Sequence, residues 1–198
     1  SSDVCSSDLQ IKIVLLGDQS VGKTSLLNKW ISNSFNSDSV PTIGGAAQSK
    51  KDIIDNVTYN FQIWDTAGAE KYRSLTPLYA RDSCAALVVF DLSKKESFDN
   101  LEEWVEFLHQ QGDIPFVVVG NKDDLVDKIQ VSSEDATNYV FSVGAQYFNV
   151  SARTGSGVDL AFRALEMCAI EFYKKVPHEE IPVVEGDMQG NNDSSGCC

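Results

Sequence analysis

The 198-residue sequence predicts an α/β fold with a six-stranded, mostly parallel sheet and helices on both faces. Short apolar runs alternate along the chain with segments that have helical periodicity. The runs are apolar at almost every position, which is typical of strands buried on both faces. Because ligands bind at the carboxyl ends of the strands in such sheets, we expect the functional residues on loops that follow strands.

The predicted strands and helices follow one another along most of the chain. A tight turn at Asp55-Asn56 joins two of the strands, and Ser93 and Glu96 have the spacing of a capping box before the second helix. The predicted strands are residues 11–17, 47–54, 57–65, 85–91, 115–121 and 146–152. The predicted helices are residues 20–31, 98–112, 132–143 and 157–175.

Composition and charge indicate a soluble globular domain that does not bind nucleic acid. Hydrophobic residues make up 42% of the chain and charged residues 23%, both ordinary values. The formal net charge of −13 is opposite to the basic footprint that nucleic acid requires. The five cysteines match no zinc-site spacing, and Cys84 and Cys168 lie in apolar runs, so we expect buried free thiols in a reducing compartment. No apolar run approaches the about 18 residues that a membrane span needs.

The chain divides into three predicted parts. Residues 1–9 repeat Ser-Ser-Asp, lack a Met and resemble the translation of a sequencing adapter, so we expect a non-native leader. Residues 10–176 form the predicted ligand-binding domain. Residues 177–198 contain five acidic residues and no Lys or Arg, which predicts a disordered acidic tail.

A glycine-rich segment between the first strand and the first helix matches the phosphate-binding pattern G-x-x-x-x-G-K-[ST] in full. Its glycines allow the backbone N–H groups to point inward at phosphate, next to the partial positive charge of the helix N-terminus. Lys23 is expected to reach the β- and γ-phosphates, and Thr24 to offer its hydroxyl to Mg²⁺. The alternative is a simple glycine-rich turn before a helix, which the full pattern disfavours. The pattern, called the phosphate loop below, comprises Gly17, Asp18, Gln19, Ser20, Val21, Gly22, Lys23 and Thr24.

Three further residues are candidates for the metal and the terminal phosphate. Asp65 ends an apolar strand, where a carboxylate can hold Mg²⁺ through a water. Thr42 lies in a polar loop and is a candidate second hydroxyl ligand. Gly68 has no Cβ, so its N–H can approach the γ-phosphate closely. Taken alone, Asp65 would be read as a helix cap and Thr42 as an ordinary loop residue, and the phosphate loop upstream reverses both readings.

Residues after the fifth and sixth strands indicate a guanine site. The carboxylate of Asp124 can accept hydrogen bonds from the N1–H and the 2-amino group of guanine, and adenine offers neither donor. The alkyl stem of Lys122 can lie along the base, and the N–H of Ala152 can donate to O6. These residues belong to Asn121-Lys122-Asp123-Asp124 and to Ser151-Ala152-Arg153.

Together these motifs resemble the Ras-like small GTPases and, within them, the Rab family. The resemblance covers residues 11–173 and rests on GDQSVGKTS (which adds Ser25), PTIG, WDTAG, GNKDD and VSAR, and on the terminal Cys197-Cys198. It implies the P-loop small GTPase fold with one antiparallel strand, GTP or GDP with Mg²⁺, and two switch loops near residues 35–45 and 68–79. It also implies that Phe35 packs edge-on against the base.

The resemblance implies a hydrolase whose reacting phosphate is surrounded by Lys23, Thr42, Gly68 and Ala69. The family places a water-orienting glutamine where this chain has Ala69, so we expect intrinsic hydrolysis to be slow. A GTP-binding scaffold with no significant hydrolysis is the first alternative, and a kinase or ATPase with a phosphate loop is the second. Small residues also replace the Phe that Rabs usually carry after PTIG, and Arg153 replaces a Lys.

The family further implies partners and a location. These are an exchange factor, a TBC-type GTPase-activating protein, a GDP dissociation inhibitor or escort protein, and effectors that regulate vesicle trafficking. Geranylgeranyl groups on Cys197 and Cys198 would attach the monomeric protein to the cytosolic face of Golgi or endosomal membranes. The protein would cycle between these membranes and the cytoplasm.

Overall fold

Strands and helices alternate along the described residues, which in this computed structural model are 9–36, 42, 45–66 and 75–176. The strands are β1 Leu9–Leu16, β2 Gly45–Ile54, β3 Val57–Thr66, β4 Ala85–Asp91, β5 Phe116–Asn121 and β6 Gln146–Asn149. The helices are α1 Lys23–Ser32, α2 Thr76–Ala80, α3 Lys95–Asp99, α4 Leu101–Gln111, α5 Ser133–Ser142 and α6 Val158–Lys175.

The strands form one sheet in the order β2-β3-β1-β4-β5-β6. All neighbouring pairs are parallel except β2 and β3, which are antiparallel. The turn between those two strands has positive φ at both Asp55 (52°) and Asn56 (61°), as a two-residue hairpin turn requires. The α/β class, the mostly parallel sheet and the single antiparallel strand are confirmed.

Both faces of the sheet are covered, so the central strands are buried on two sides. Along β1, Ile11, Ile13 and Leu15 belong to one core cluster, while Val14 and Leu16 belong to the other. The first cluster includes the apolar faces of α1 and α6, and the second includes those of α4 and α5. Every residue of β4 is buried, which explains its continuous apolar run.

The predicted capping box before the second helix is wrong. Ser93 caps no helix, because both its N–H and its hydroxyl donate to Oδ1 of Asp91, at 2.9 and 2.6 Å. Helix α3 begins two residues later without a side-chain cap, and the helical segment is broken at Asn100 into α3 and α4. By contrast, the hydroxyl of Ser132 accepts from the N–H of Asp135 and caps α5.

Other differences lie at the ends of elements. Strand β6 ends at Asn149 rather than at residue 152, because the N–H of Ser151 donates to the carbonyl of Ser156 in a following turn. The five-residue helix α2 was not predicted, and β1 begins at Leu9, inside the stretch expected to be a leader. Residues 1–8 and the predicted tail, residues 177–198, lie outside the described residues. None of the described helices is both long enough and apolar enough to span a bilayer.

Candidate nucleotide-binding site

The phosphate loop connects β1 to α1 and is shaped by glycines that no other residue could replace without strain. Gly17 has a φ of 134°, and a Cβ there would lie 2.1 Å from the carbonyl oxygen of Val89. Gly22 caps α1 with a φ of 101°, and a Cβ there would lie 2.3 Å from Nδ2 of Asn121. The loop therefore packs directly against the ends of β4 and β5.

Lys23 is the first residue of α1, and its charge is enclosed by the loop. Its side chain is buried, and Nζ donates to the carbonyl oxygens of Gly17 (2.7 Å) and Asp18 (2.8 Å). Burial lowers the pKa of Lys23 to about 8, although the carboxylates of Asp65 and Asp18 act in the opposite direction. An anion bound in the loop would stabilise this buried ammonium group further.

The predicted metal-site residues, Thr24, Thr42 and Asp65, bring their side-chain oxygens together beside Lys23. The Thr24 hydroxyl donates to Oδ2 of Asp65 at 2.5 Å and lies 2.9 Å from the Thr42 hydroxyl, which is itself 3.4 Å from Oδ2. Asp65 is 1% exposed, and its Oδ1 has no hydrogen-bond partner among the described residues. Burial raises the pKa of Asp65, and the hydrogen bond from Thr24 opposes that change.

This set of oxygens fits Mg²⁺. The cation prefers hard oxygen ligands, and the unpartnered Oδ1 offers a buried negative charge for it. Among the described residues there is no cluster of three or more His, Cys, Asp or Glu that could hold a metal by itself. Phosphate and water oxygens would therefore complete the coordination, as is usual for Mg²⁺ at nucleotide sites.

Asn121, at the end of β5, connects the phosphate loop to the loop after β6. Its Nδ2 donates to the carbonyl oxygen of Val21 at 2.8 Å, and its Oδ1 accepts from the N–H of Ala152 at 3.1 Å. The residue is 1% exposed, and each of its two polar side-chain atoms has a hydrogen-bond partner. Asn121 therefore holds the loop that is predicted to bind phosphate against the loop that is predicted to bind the base.

Lys122 and Asp124, both predicted to contact the base, follow the end of β5. Lys122 has a φ of 68°, and its Nζ donates to the carbonyl oxygen of Ser20 (3.0 Å) and to Oδ2 of Asp91 (2.6 Å). Asp124 accepts from the Ser151 hydroxyl at 2.6 Å and lies 3.7 Å from Nη1 of Arg153. These contacts hold the Asp124 carboxylate, whose side chain is 14% exposed, beside the loop after β6.

Comparison with known proteins shows the family of the chain. A model of the Ras family matches residues 12–170. The Ras-related protein RABA4d of Arabidopsis thaliana is 37% identical over 93% of this chain and 83% of its own length. Human Ras-related protein Rab-22A is 34% identical over 96% of this chain and 98% of its own length, and rat Rab-21 is 34% identical over 94% and 91%.

The chain is a Rab protein of the Ras family. Only some of the remaining predicted site residues of this Rab protein lie in the part of the chain that the structure describes. Gln19 is exposed on the phosphate loop, and Ser25 is half-buried in the first turn of α1. Phe35 is 42% exposed. Gly68, Ala69, Cys197 and Cys198 lie outside the described residues, so their predicted roles remain predictions.

The surface beside β2 differs from the usual Rab sequence, and the structure gives a reason for one of its small residues. The rings of Trp64 and Tyr79 stack with centroids 5.5 Å apart. A Cβ on Gly45 would lie 2.8 Å from the Tyr79 ring, so that ring rests on the glycine backbone. Ala47 is paired in register with Trp64 and is exposed. This Rab therefore presents two aromatic rings beside small residues.

Three residues that the sequence analysis missed also contact the site. Asp91 is fully buried at the end of β4 and binds Lys122. It could have been predicted from the sequence, because ligand-binding residues in such sheets lie at the carboxyl ends of strands. Asn100 and Trp104 bind the side chain of Asp18 from α4. No sequence signal links them to Asp18, because the contacts span 82 and 86 residues.

Proposed function

We propose that this Rab protein is a guanine-nucleotide switch that binds GTP and GDP with Mg²⁺, hydrolyses GTP slowly and regulates vesicle trafficking through effectors. One observation carries the proposal. Candidate residues for the phosphates, the metal and the base come from four separate strand ends, after β1, β3, β5 and β6, and converge on one edge of the sheet.

At the phosphate end, Lys23 supplies a buried positive charge, and the backbone N–H groups of the loop would donate to the phosphates. Bound Mg²⁺ would neutralise charge on the β- and γ-phosphates. Thr42 lies within hydrogen-bonding distance of Thr24 and belongs to the first switch segment. A contact to the γ-phosphate or its metal would therefore order that segment, and loss of the phosphate would release it.

At the base end, Asp124 supplies the specificity. Its carboxylate accepts two donors from guanine, whereas adenine would leave it unpaired. A buried polar group left without its partner discriminates by roughly 10⁴-fold or more. Competition of labelled GDP by GTP and by ATP on the purified chain tests this assignment. Displacement by GTP alone supports it, and equal displacement by ATP would indicate the kinase or ATPase alternative.

Ala69 supports the expectation of slow hydrolysis. A methyl group can neither donate nor accept a hydrogen bond, so the chain lacks the group that orients the attacking water in the family. The same residue favours a second candidate function, a GTP-binding scaffold with no significant hydrolysis. Single-turnover GTP hydrolysis, measured with and without a TBC-domain protein, separates the two, because such a protein can supply the missing side chain in trans.

The membrane part of the proposal rests on the sequence of the tail. Lipid groups on Cys197 and Cys198 would hold the protein on the cytosolic face of Golgi or endosomal membranes. A GDP dissociation inhibitor or escort protein would extract and deliver it, and an exchange factor would load GTP. Fractionation of cells that express the chain tests the membrane association.

A further inference from the structure

The phosphate loop carries a carboxylate that is held from outside the loop. Nδ2 of Asn100 donates to Oδ2 of Asp18 at 2.7 Å, and Nε1 of Trp104 donates to Oδ1 at 3.0 Å. Asn100 and Trp104 are four residues apart, which places them one turn apart on the same face of a helix. Each oxygen of Asp18 therefore has its own donor, and we call this pair of donors the α4 clamp.

The break between α3 and α4 makes this clamp possible. Asn100 is the residue before the first turn of α4, a position where an Asn side chain usually accepts from a backbone N–H of that turn. It makes no such bond here, and its amide binds Asp18 instead. Trp104 is 3% exposed in the core beneath α4, and a buried indole N–H needs a partner. Asp18 is within reach of both donors.

Asp18 joins the clamp to the phosphate-binding lysine. Its carbonyl oxygen accepts from Nζ of Lys23 at 2.8 Å, while its carboxylate binds α4. The carboxylate charge is close enough to stabilise the Lys23 ammonium group, so it also lies within electrostatic reach of the site. A free carboxylate could turn towards the loop interior and repel bound phosphates, and the clamp prevents that rotation.

We propose that Asn100 and Trp104 are positioning residues for the nucleotide: by holding the Asp18 carboxylate on α4, they keep the phosphate loop in shape and its negative charge away from the phosphates. This inference rests on the proposed guanine-nucleotide binding. The α4 clamp would therefore lengthen the residence time of the bound nucleotide, although it lies outside the nucleotide-binding motifs.

The test measures the release of a fluorescent GDP analogue from the full chain and from clamp variants. Trp104→Phe removes one donor and keeps an aromatic ring, and we expect release to accelerate by about 10-fold, since hydrogen bonds to charged groups contribute strongly. Asn100→Ala removes the other donor at a half-buried position outside the core, and should act in the same direction. Trp30→Phe is the matched control, because Trp30 is a buried tryptophan that stacks on Phe162.

A second substitution separates charge from packing. Adding Asp18→Asn to Trp104→Phe removes the unrestrained charge, so the double variant should release GDP more slowly than Trp104→Phe alone. Release that is equally fast or faster in the double variant would contradict the proposal, as would unchanged release in both Trp104→Phe and Asn100→Ala. Failure of the unaltered chain to bind guanine nucleotide at all would instead overturn the proposed function.

Discussion

The hydroxyl of Thr24 donates to the carboxylate of Asp65 over 2.5 Å, although the two residues are 41 positions apart. This contact joins the first turn of α1 to the end of β3, and within the part of the chain that the structure describes Oδ1 of Asp65 has no hydrogen-bond partner. The pair therefore holds two oxygens ready for one cation.

Removal of Mg²⁺ should accelerate GDP release from the unaltered chain, and Asp65→Asn should reduce that dependence. The amide has no negative charge, and loss of an outer carboxylate usually weakens metal affinity by about 10–100-fold. GDP release with and without a chelator measures the effect. Asp55→Asn is the control, since Asp55 is exposed at a turn whose positive φ suits Asn. An equal chelator effect in Asp65→Asn and the unaltered chain would contradict the metal assignment.

Ala69→Gln should raise intrinsic GTP hydrolysis by about 10-fold or more, which corresponds to about 1.4 kcal/mol of barrier. The new amide can orient the attacking water, and nucleotide affinity should change little because the phosphate loop and Asp124 carry it. Single-turnover hydrolysis measures the rate, with Ala46→Gln on the exposed surface of β2 as the control. An unchanged rate in Ala69→Gln would show that another group, such as Gln19, limits the reaction.

Replacement of both Cys197 and Cys198 by serine should make the protein fully soluble in cells while GTP binding stays intact. One lipid chain binds membranes only marginally, and the tail offers five acidic residues in place of a basic patch. A single replacement should therefore leave weak, reversible association. Membrane fractionation measures the result, with Cys5→Ser as the control. Persistent attachment of the double variant would point to a membrane-binding surface on the folded domain.

Glu166→Gln should stabilise the fold at neutral pH by roughly 1 kcal/mol, the usual size of a change at one buried polar group. Glu166 is 2% exposed, and its Oε2 is 3.4 Å from Nη1 of Arg163. No described residue forms a hydrogen bond with its Oε1. Burial, followed by repulsion from Asp52, raises the pKa of Glu166 above its ordinary 4.5, and Arg163 and Lys50 only partly oppose this.

The sign of the pH dependence follows from that raised pKa. A carboxyl whose pKa is higher in the folded state favours folding at low pH, and that contribution is lost as the pH rises through the folded pKa. The advantage of Glu166→Gln should therefore be larger at pH 8 than at pH 5. Urea unfolding at both values measures it, with Glu171→Gln as the exposed control on α6. An advantage that shrinks between pH 5 and pH 8 would contradict the account.

Much of the fold was predictable because local pattern and tertiary environment agree. The continuous apolar run of β4 reflects burial on both faces. Two of the three phosphate-loop residues with positive φ are glycines, Gly17 and Gly22, and the third is Ser20. The five-residue helix α2 could not be predicted, since it is too short to show helical periodicity. The capping box predicted at Ser93 was wrong because the N–H and the hydroxyl of Ser93 donate to Asp91, two residues earlier.

The candidate site was predictable where a motif is contiguous and was missed where a partner is distant. Thr24 and Lys122 lie in short motifs whose chemistry can be read from neighbouring residues. The α4 clamp on Asp18 depends on a helix break at Asn100, and the structure alone brings these residues together. Tertiary contacts over some 80 residues leave no pattern in a single sequence.

The most direct test of the central claim is competition for labelled GDP by GTP, ATP and xanthosine triphosphate, on the unaltered chain and on Asp124→Asn. The unaltered chain should prefer GTP over ATP by about 10⁴-fold or more. Asp124→Asn should weaken GTP binding by at least ~10²-fold and favour the xanthosine nucleotide, whose C2 oxygen can accept from the new amide. Asp127→Asn, at an exposed position nearby, should behave as the unaltered chain does. Equal GTP affinity in Asp124→Asn and the unaltered chain would contradict the claim that this chain is a guanine-nucleotide switch in which Asp124 recognises the base.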